Sequence, residues 1–590
     1  MRRVRLTLSL ALALAPAAAA FAGSPARSDT PIAFVHANVV PMDSDRVLRD
    51  QTVVVSSGKI AAIGPTGKAT VPAGARRVDA AGGYLTPGLA DMHVHVYTPE
   101  ELTLYAVNGV TSVFNLNGRP AHLAMRRSIA SGELFGPTLY SVGPTFDHPR
   151  TPEEAVAEVD RISAEGWDGV KIYNQVSKAE YPALTAEAKK KNLILVGHVA
   201  REPGFEATLA SGQSIAHAEE FVYTYFNDDP DPSHEVVHAL DTYRIPKAVK
   251  MTKQAGISVI PTLVAFHSIV RQATEVKKYL EDPNLAYMFP TMRAALEPAR
   301  NTYANRFPPD RLPGLAVSYE FQRQLVKALH DGGVPILAGT DASWLGVPGF
   351  CLIEEIENFQ DLGFTPYAAL KTATVDAAKL LRKDGEFGTI APGMRADLIL
   401  TRQNPLEDVR RLRGIEGVMV RGRWIPAAER KAMLEAIPPA YRKALEEMER
   451  EFEADPAALD AYLAANDPYG NIASGVLVDM TARRPPAEVA STLRRSAATG
   501  KAPHLTGEET LNQLGYDLLA AKKPDAAVEI FRLNVELYPK SGNTYDSLAE
   551  TYLGLGKKDL AREYYTRALQ AQPDYPNAKA AKEILQKQLQ

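Results

Sequence analysis

The sequence predicts an α/β protein: a (β/α)8 TIM barrel, a composite β-sandwich formed by the segments on either side of it, and an α-helical C-terminal domain. Three observations predict it. Short apolar runs alternate with helical segments over roughly 270 residues, the span of such a barrel. Turn-punctuated β-rich runs stand both before and after that stretch. Near the end, apolar and small residues recur at an offset of 34 positions.

The chain begins with Met1-Arg2-Arg3-Val4-Arg5, an apolar run from Leu6 to about Ala20, and the small-x-small site Ala20-Phe21-Ala22. Residues 1–22 therefore read as a signal peptide. An uncleaved anchor is the alternative, although the run is shorter than the ~20 residues a span requires and no basic stop follows it. The mature protein is expected to be secreted or periplasmic, with no membrane span after cleavage. Its single cysteine, Cys351, permits no intrachain disulfide and reads as a buried small side chain rather than a nucleophile. At 590 residues, 45% hydrophobic and with a formal net charge of -4, the chain has ample core and no basic field, which excludes nucleic acid as a default partner.

Residues 32–82 contain Thr52-Val53-Val54-Val55, the turn Ser56-Ser57-Gly58-Lys59 and Ile60-Ala61-Ala62-Ile63-Gly64, a hairpin pattern. Similar punctuation returns within 385–426, at 393–400 and 417–424, so the two segments are expected to pair into one sandwich. Between them, residues 83–384 form the barrel, with the clearest strands at 111–114, 169–172, 193–196, 258–261 and 335–338. Residues 427–505 are a charged helical linker region. In 506–590, Leu514 recurs as Leu548, Ala527 as Ala561, Phe531 as Tyr565 and Pro539 as Pro573, with Gly515 matched by Ala549. This resembles two tetratricopeptide repeats, which neighbouring helices must cap and which suit a protein partner or self-association.

The chemistry concentrates where strands end, because a barrel collects its reactive residues at the carboxyl ends of its strands. In Pro87-Gly88-Leu89-Ala90-Asp91-Met92-His93-Val94-His95, the two histidines at i and i+2 share a strand face. A solvent-facing polar pair is the alternative. Lys171, His198, His217 and Asp341 each follow or end a further apolar run, so one mouth can gather four imidazoles, an amine and a carboxylate, a metal-binding set. Asp91 shares the face of His93 and either orients a ligand imidazole or caps a turn.

On these residues, and on 365–370 and 388–393, the chain from Ile32 to Trp424 resembles the amidohydrolase superfamily, in its imidazolonepropionase-like and Xaa-Pro-dipeptidase-like branch. The resemblance implies that His93, His95 and Asp341 hold one Zn2+ and that His198 and His217 hold a second. Lys171 would bridge them as a carbamate, since an ammonium has no lone pair to offer a metal. An ordinary lysine in a one-metal enzyme is the alternative. Two zinc ions sharing a hydroxide would attack a scissile amide, with Asp341 as the catalytic proton carrier. His148 after Phe146-Asp147, where related dipeptidases carry a Gly-Gly-His loop whose glycines are absent here, and Tyr223 or Tyr225 are the substrate-contact candidates. His267 is either a further pocket residue or a satisfied core histidine. The expected activity is hydrolysis of an amide C-N bond in a short peptide or N-acyl amino acid. Two alternatives stand beside it: a mononuclear deaminase or cyclic-amide hydrolase with Glu219 or Glu220 as proton shuttle, and an exported partner-binding protein whose barrel is inactive.

Overall fold

The computed structural model describes residues 30–148, 150–227, 240–298, 301–307, 309–342, 345–466, 471–500 and 502–587. The signal-peptide expectation for residues 1–22 lies outside them. Among the described residues, no helix is long and apolar enough to cross a membrane. The chain divides into two compact units: one contains the described residues up to Met288 together with Arg306–Pro439, the other Phe289–Asn305 together with the described residues from Ala440 onward.

In the larger unit, eight strands form one hydrogen-bonded sheet. Ile32–Val39 pairs antiparallel with Leu48–Ser56, which turns back into Lys59–Pro65, and runs parallel to Arg76–Asp79 and Tyr84–Pro87. Tyr84–Pro87 then pairs antiparallel with Leu398–Thr401, Thr86 opposite Ile399, which joins the N-terminal segment to the returning one. The path continues through Ile415–Val420 to Arg423–Pro426. Three strands separate Phe34 from Trp424 along this path, about 19 Å in a flat sheet at ~4.8 Å per strand. Their ring centroids nevertheless lie 4.8 Å apart, edge to face. The sheet is therefore folded over, and one continuous sheet encloses the apolar core of Val53, Val55, Leu85, Leu398 and Met419 that was expected between two.

Parallel strands Leu89–Val94, Val110–Asn115 and Thr138–Ser141 form a second sheet, and Gly169–Ile172, Ile194–Gly197, Ser214–Ala216 and Val259–Ile260 a third. Isolated parallel bridges join them: Val142 to Gly169, Val259 to Ile336, and Ala342 back to Val94. Hydrogen bonding thus passes through eight parallel segments and returns to the first, where Met92 donates to the Ala338 carbonyl and His95 to that of Ala342. The intervening helices are written locally. Pro152–Glu165 starts with a reciprocal capping box, Thr151 Oγ1 accepting from the Glu154 amide and Glu154 Oε2 from the Thr151 amide. It ends at Gly166, whose φ of 84° a residue with a Cβ adopts only with strain. It buries Ala155, Val159 and Ile162, one stripe at helical spacing.

The smaller unit is helical. Residues 289–305 belong to it although they fall inside the segment assigned to the barrel; helix Pro290–Ala295, six residues long, is too short to carry a readable period. It packs on Asn471–Arg483, where a Cβ at Gly475 would lie 2.2 Å from the Thr291 side chain. Helices Glu508–Ala520 and Pro524–Leu537, then Gly542–Gly554 and Lys558–Ala571, form two successive hairpins, followed by Ala578–Lys587. Leu514, Ala527, Phe531, Leu548, Ala561 and Tyr565, the recurring residues, are all buried. Gly515 lets Phe531 approach, since a Cβ there would lie 2.4 Å from its ring.

Candidate metal centre

The carboxyl end of the ring is shaped by close approach and by unusual backbone. At Gly339 a Cβ would meet Ile260 Cγ2 at 2.4 Å and His93 Cβ at 2.9 Å, so only glycine lets this segment press against the strand bearing His93. The amides of Thr340 and Asp341 then both donate to the His93 carbonyl, at 3.2 and 2.8 Å. His217, Thr262 and Asp341, each just beyond a ring segment, have φ values of 76°, 47° and 55°. Such left-handed conformations cost of order 1–3 kcal/mol each in non-glycine residues and collect at functional sites.

Asp341 Oδ1 lies 2.9 Å from His95 Nε2 and 3.3 Å from His93 Nε2. Two ligands of a tetrahedral ion at ~2.0–2.1 Å are ~3.3 Å apart, so these separations suit a shared ion. Among the described residues, His93, His95 and Asp341 are the one group of three whose donor atoms all fall within 4.8 Å of one another. Lys171 Nζ is 3.5 Å from His93 Nε2. The His217 ring centroid lies 4.6 Å from those of both His93 and His198. The six residues singled out in the sequence therefore meet in one place, three converging tightly and three extending the cluster.

His93, His198 and His217 are braced from behind. Asp91 Oδ1 accepts from the amides of His93 and Thr340, at 3.2 and 3.1 Å, and Oδ2 from the Thr340 hydroxyl at 2.7 Å. Of its two expected roles, Asp91 takes the one that ties backbone. His198 Nδ1 faces Glu220 Oε1 at 2.8 Å, and His217 Nδ1 faces Thr262 Oγ1 at 2.8 Å.

Burial pushes the imidazoles of His93 and His217 well below the ordinary histidine range and lowers His198 as well. Burial alone would raise Asp341, but the hydrogen bond and charge of His95, aided by His217 and Lys171, bring it down to about 2. Burial lowers Lys171 to about 8 against the pull of Asp341, Glu220 and Glu219. Burial likewise raises Glu219 to about 8, with Glu220 and Asp341 adding to the rise. The buried neutral imidazoles of His93, His198 and His217 beside an ionised carboxylate are donors suited to a divalent transition metal.

The remaining candidates lie elsewhere. The His148 side chain is 64% exposed and bonds Asp147 at 2.8 Å, so the structure does not draw it into the cluster. Tyr225 is buried among Phe205, Phe226 and the Arg244 guanidinium, a core aromatic rather than a pocket wall. Tyr223 lies under the Arg201 guanidinium, 5.3 Å from ring centre to Cζ. His267 stacks on Tyr319 at 5.1 Å. Cys351 is buried, donates to the Val347 carbonyl, and has its thiol pushed up by burial. Tyr173 was missed: its ring meets His198 edge to face at 4.2 Å, and the signal was its place two residues after Lys171. Arg201 and Thr262 were missed too, although each follows a strand end.

The amidohydrolase family model matches residues 84–425, more than half of the chain. The imidazolonepropionase of Cupriavidus pinatubonensis (strain JMP 134 / LMG 1197) is 26% identical over 403 residues, 62% of this chain and 86% of the relative. The adenine deaminase of Paracoccus denitrificans (strain Pd 1222) is 22% identical over 397 residues, 63% of this chain but only 55% of the relative. Among solved structures, a Xaa-Pro dipeptidase with bound methionine in the active site superposes over 68% of this chain and 100% of its own, with TM-score 0.53 and 20% identity, a likeness of fold. A family match that spans the ring and the returning strands of the folded sheet leaves one conclusion, that the chain belongs to the amidohydrolase family.

Proposed function

We propose that the protein is a metal-dependent hydrolase that cleaves an amide C-N bond in a short peptide or an N-acyl amino acid, on a (β/α)8 barrel flanked by the folded composite β-sheet. The observation that carries this reading is the convergence of His93, His95, Lys171, His198, His217 and Asp341 at one end of the ring. In it, His93, His95 and Asp341 hold one Zn2+ and His198 and His217 a second, with Lys171 between them as a carbamate. When bound, the metal supplies an electrophile for the scissile carbonyl and an acidified water at neutral pH. Burial supports the lysine's role by leaving a fraction of its amine neutral near pH 8, and the carbamate forms as that nitrogen attacks the carbon of carbon dioxide and loses a proton. Asp341, held ionised beside His95, takes the proton of the attacking water on a carboxylate oxygen and returns it to the departing nitrogen. The dipeptidase likeness and the imidazolonepropionase relative support an amide substrate.

A second reading, a mononuclear deaminase or cyclic-amide hydrolase, is favoured by one observation: among the described residues a single group of three donors closes within 4.8 Å. The adenine deaminase relative supports the same reading. The helical hairpins, read as tetratricopeptide-like, would serve a protein partner or self-association, and residues 1–22 would send the protein to the periplasm or outside the cell.

The deciding experiment incubates the zinc-loaded protein with dipeptides and N-acyl amino acids and scores free amino acid and ammonia separately, with metal counted per chain. Free amino acid, two zinc ions per chain and loss of both in Lys171→Ala are expected. Ammonia alone with one zinc per chain overturns the proposal in favour of the mononuclear reading.

A further inference from the structure

The Glu220 carboxylate, its side chain 2% exposed, is engaged on every side. Oε1 faces His198 Nδ1 at 2.8 Å and Oε2 accepts from the Val199 amide at 3.0 Å. Arg201 closes on both oxygens, its terminal nitrogens 2.5 Å from Oε2 and 3.2 Å from Oε1. Arg201 is itself tied down, donating to the Val199 carbonyl at 2.7 Å and lying over the Tyr223 ring. Gln213 Nε2 donates to the His198 carbonyl at 2.7 Å, and Tyr173 fences the imidazole edge to face.

Two consequences follow from hydrogen-bond chemistry. An ionised carboxylate only accepts, so the nitrogen of His198 that faces it carries the proton and the other keeps its lone pair. A carboxylate with both oxygens committed to a guanidinium, an amide and an imidazole has no oxygen free to ferry protons for substrate. The guanidinium also neutralises the carboxylate, which lets it stay buried and orient His198 without adding net charge to the centre.

We propose that Glu220 is the positioning residue of the His198 side of the centre: clamped by Arg201 and the Val199 amide, it fixes the Nδ1-protonated tautomer of His198 and keeps Nε2 as the metal donor. The inference rests on the metal-centre reading above and removes Glu220 from the proton-shuttle role. Glu219, one residue earlier, has no such clamp.

The test uses full-length protein with 15N-labelled histidine, free of metal, and reads the His198 tautomer by long-range proton–nitrogen correlation, assigned by loss of its signal in His198→Asn. Wild type is expected to show the Nδ1-protonated form. Glu220→Ala should show mixed tautomers, and Glu220→Gln, whose oxygen is claimed by the Val199 amide and Arg201 so that its NH2 turns to His198 Nδ1, should switch His198 to the Nε2-protonated form. In zinc titrations Glu220→Ala should weaken one binding step by 10–100-fold, the range for partners that orient ligand histidines, and leave the other unchanged. A wild-type tautomer in Glu220→Ala, or two unaltered zinc steps, overturns the inference. Wild-type protein that takes up no zinc overturns the metal reading instead, and the tautomer measurement still decides Glu220. If Glu220→Ala does not fold, Arg201→Met opens the clamp while keeping the carboxylate; a single unbroadened His198 tautomer with unchanged zinc steps there overturns the proposal equally.

Discussion

On one side of the centre His93, His95 and Asp341 lean directly on one another, and what holds them is backbone. Asp91 ties the amides of His93 and Thr340 together. The Gly339 segment presses on His93. His122 Nε2 bonds the Val96 carbonyl at 2.7 Å, directly after His95, while its Nδ1 accepts from the Arg119 amide at 3.0 Å. On the other side His198 and His217 are each held through the imidazole itself, by Glu220 and by Thr262. The difference teaches where each half is vulnerable: the first to anything that moves main chain, the second to loss of a single side-chain oxygen.

The sharpest way to break that comparison is to remove the shared carboxylate of the first half. Asp341→Ala takes away the oxygen that meets both His93 and His95, and with it the proposed proton carrier. It should lower kcat/KM by at least ~1,000-fold, about 4 kcal/mol, and abolish one zinc step. Retention of a tenth of wild-type activity would exclude the role. Gly339→Ala removes no ligand, yet its methyl would meet Ile260 and His93. Overpacking of this kind costs ~1–3 kcal/mol, so a lowered melting temperature together with weaker zinc binding is expected. Unchanged zinc binding would show that the first half tolerates backbone movement after all.

The six clustered residues were legible because each sits at the end of an apolar run, where sequence order and strand alternation coincide. Their braces were not. Glu220 lies 22 residues from His198, and Asp91 lies 249 from Thr340, so neither pairing has a local signature. The closed ring was legible from alternation, but the final segment at Ile336 and Ala342 joins it through isolated bridges and scattered backbone hydrogen bonds rather than as a regular strand. Tyr225 was misplaced for a related reason. Tyr225 falls on the π-helical turn Val222–Phe226, whose side-chain directions an α-helical or strand period misplaces, and it points into the core with Phe205.

The backbone bracing of the first half also has a pH signature. Burial lowers His122 from 6.5 to about 3. Its neutral form is therefore the folded one, and between those values the unfolded chain binds a proton that the folded chain does not. The stability is fully present above pH 6.5 and is lost as pH falls, by roughly 2 kcal/mol at pH 5 relative to pH 7. Denaturant titrations at the two pH values should show a smaller difference for His122→Asn than for wild type. Equal differences would mean that His122 is not held neutral.

Thr262→Val tests the second half most gently. Thr262 directly precedes the helix Leu263–Tyr279, a place where a threonine hydroxyl ordinarily caps its own helix. Here Glu355 does that work, its oxygens accepting from the amides of Leu263 and Val264 at 2.9 and 2.7 Å, which frees Thr262 Oγ1 for His217. Valine keeps the branched shape and the same left-handed strain, so the substitution removes one hydrogen bond and little else. Stability should fall by about 1 kcal/mol, and one zinc step should weaken about tenfold, at the low end of what loss of an orienting partner costs. A zinc step that does not move while Glu220→Ala shifts its own would mean that His217 is placed by its backbone, as His93 is, and that imidazole bracing belongs to His198 alone.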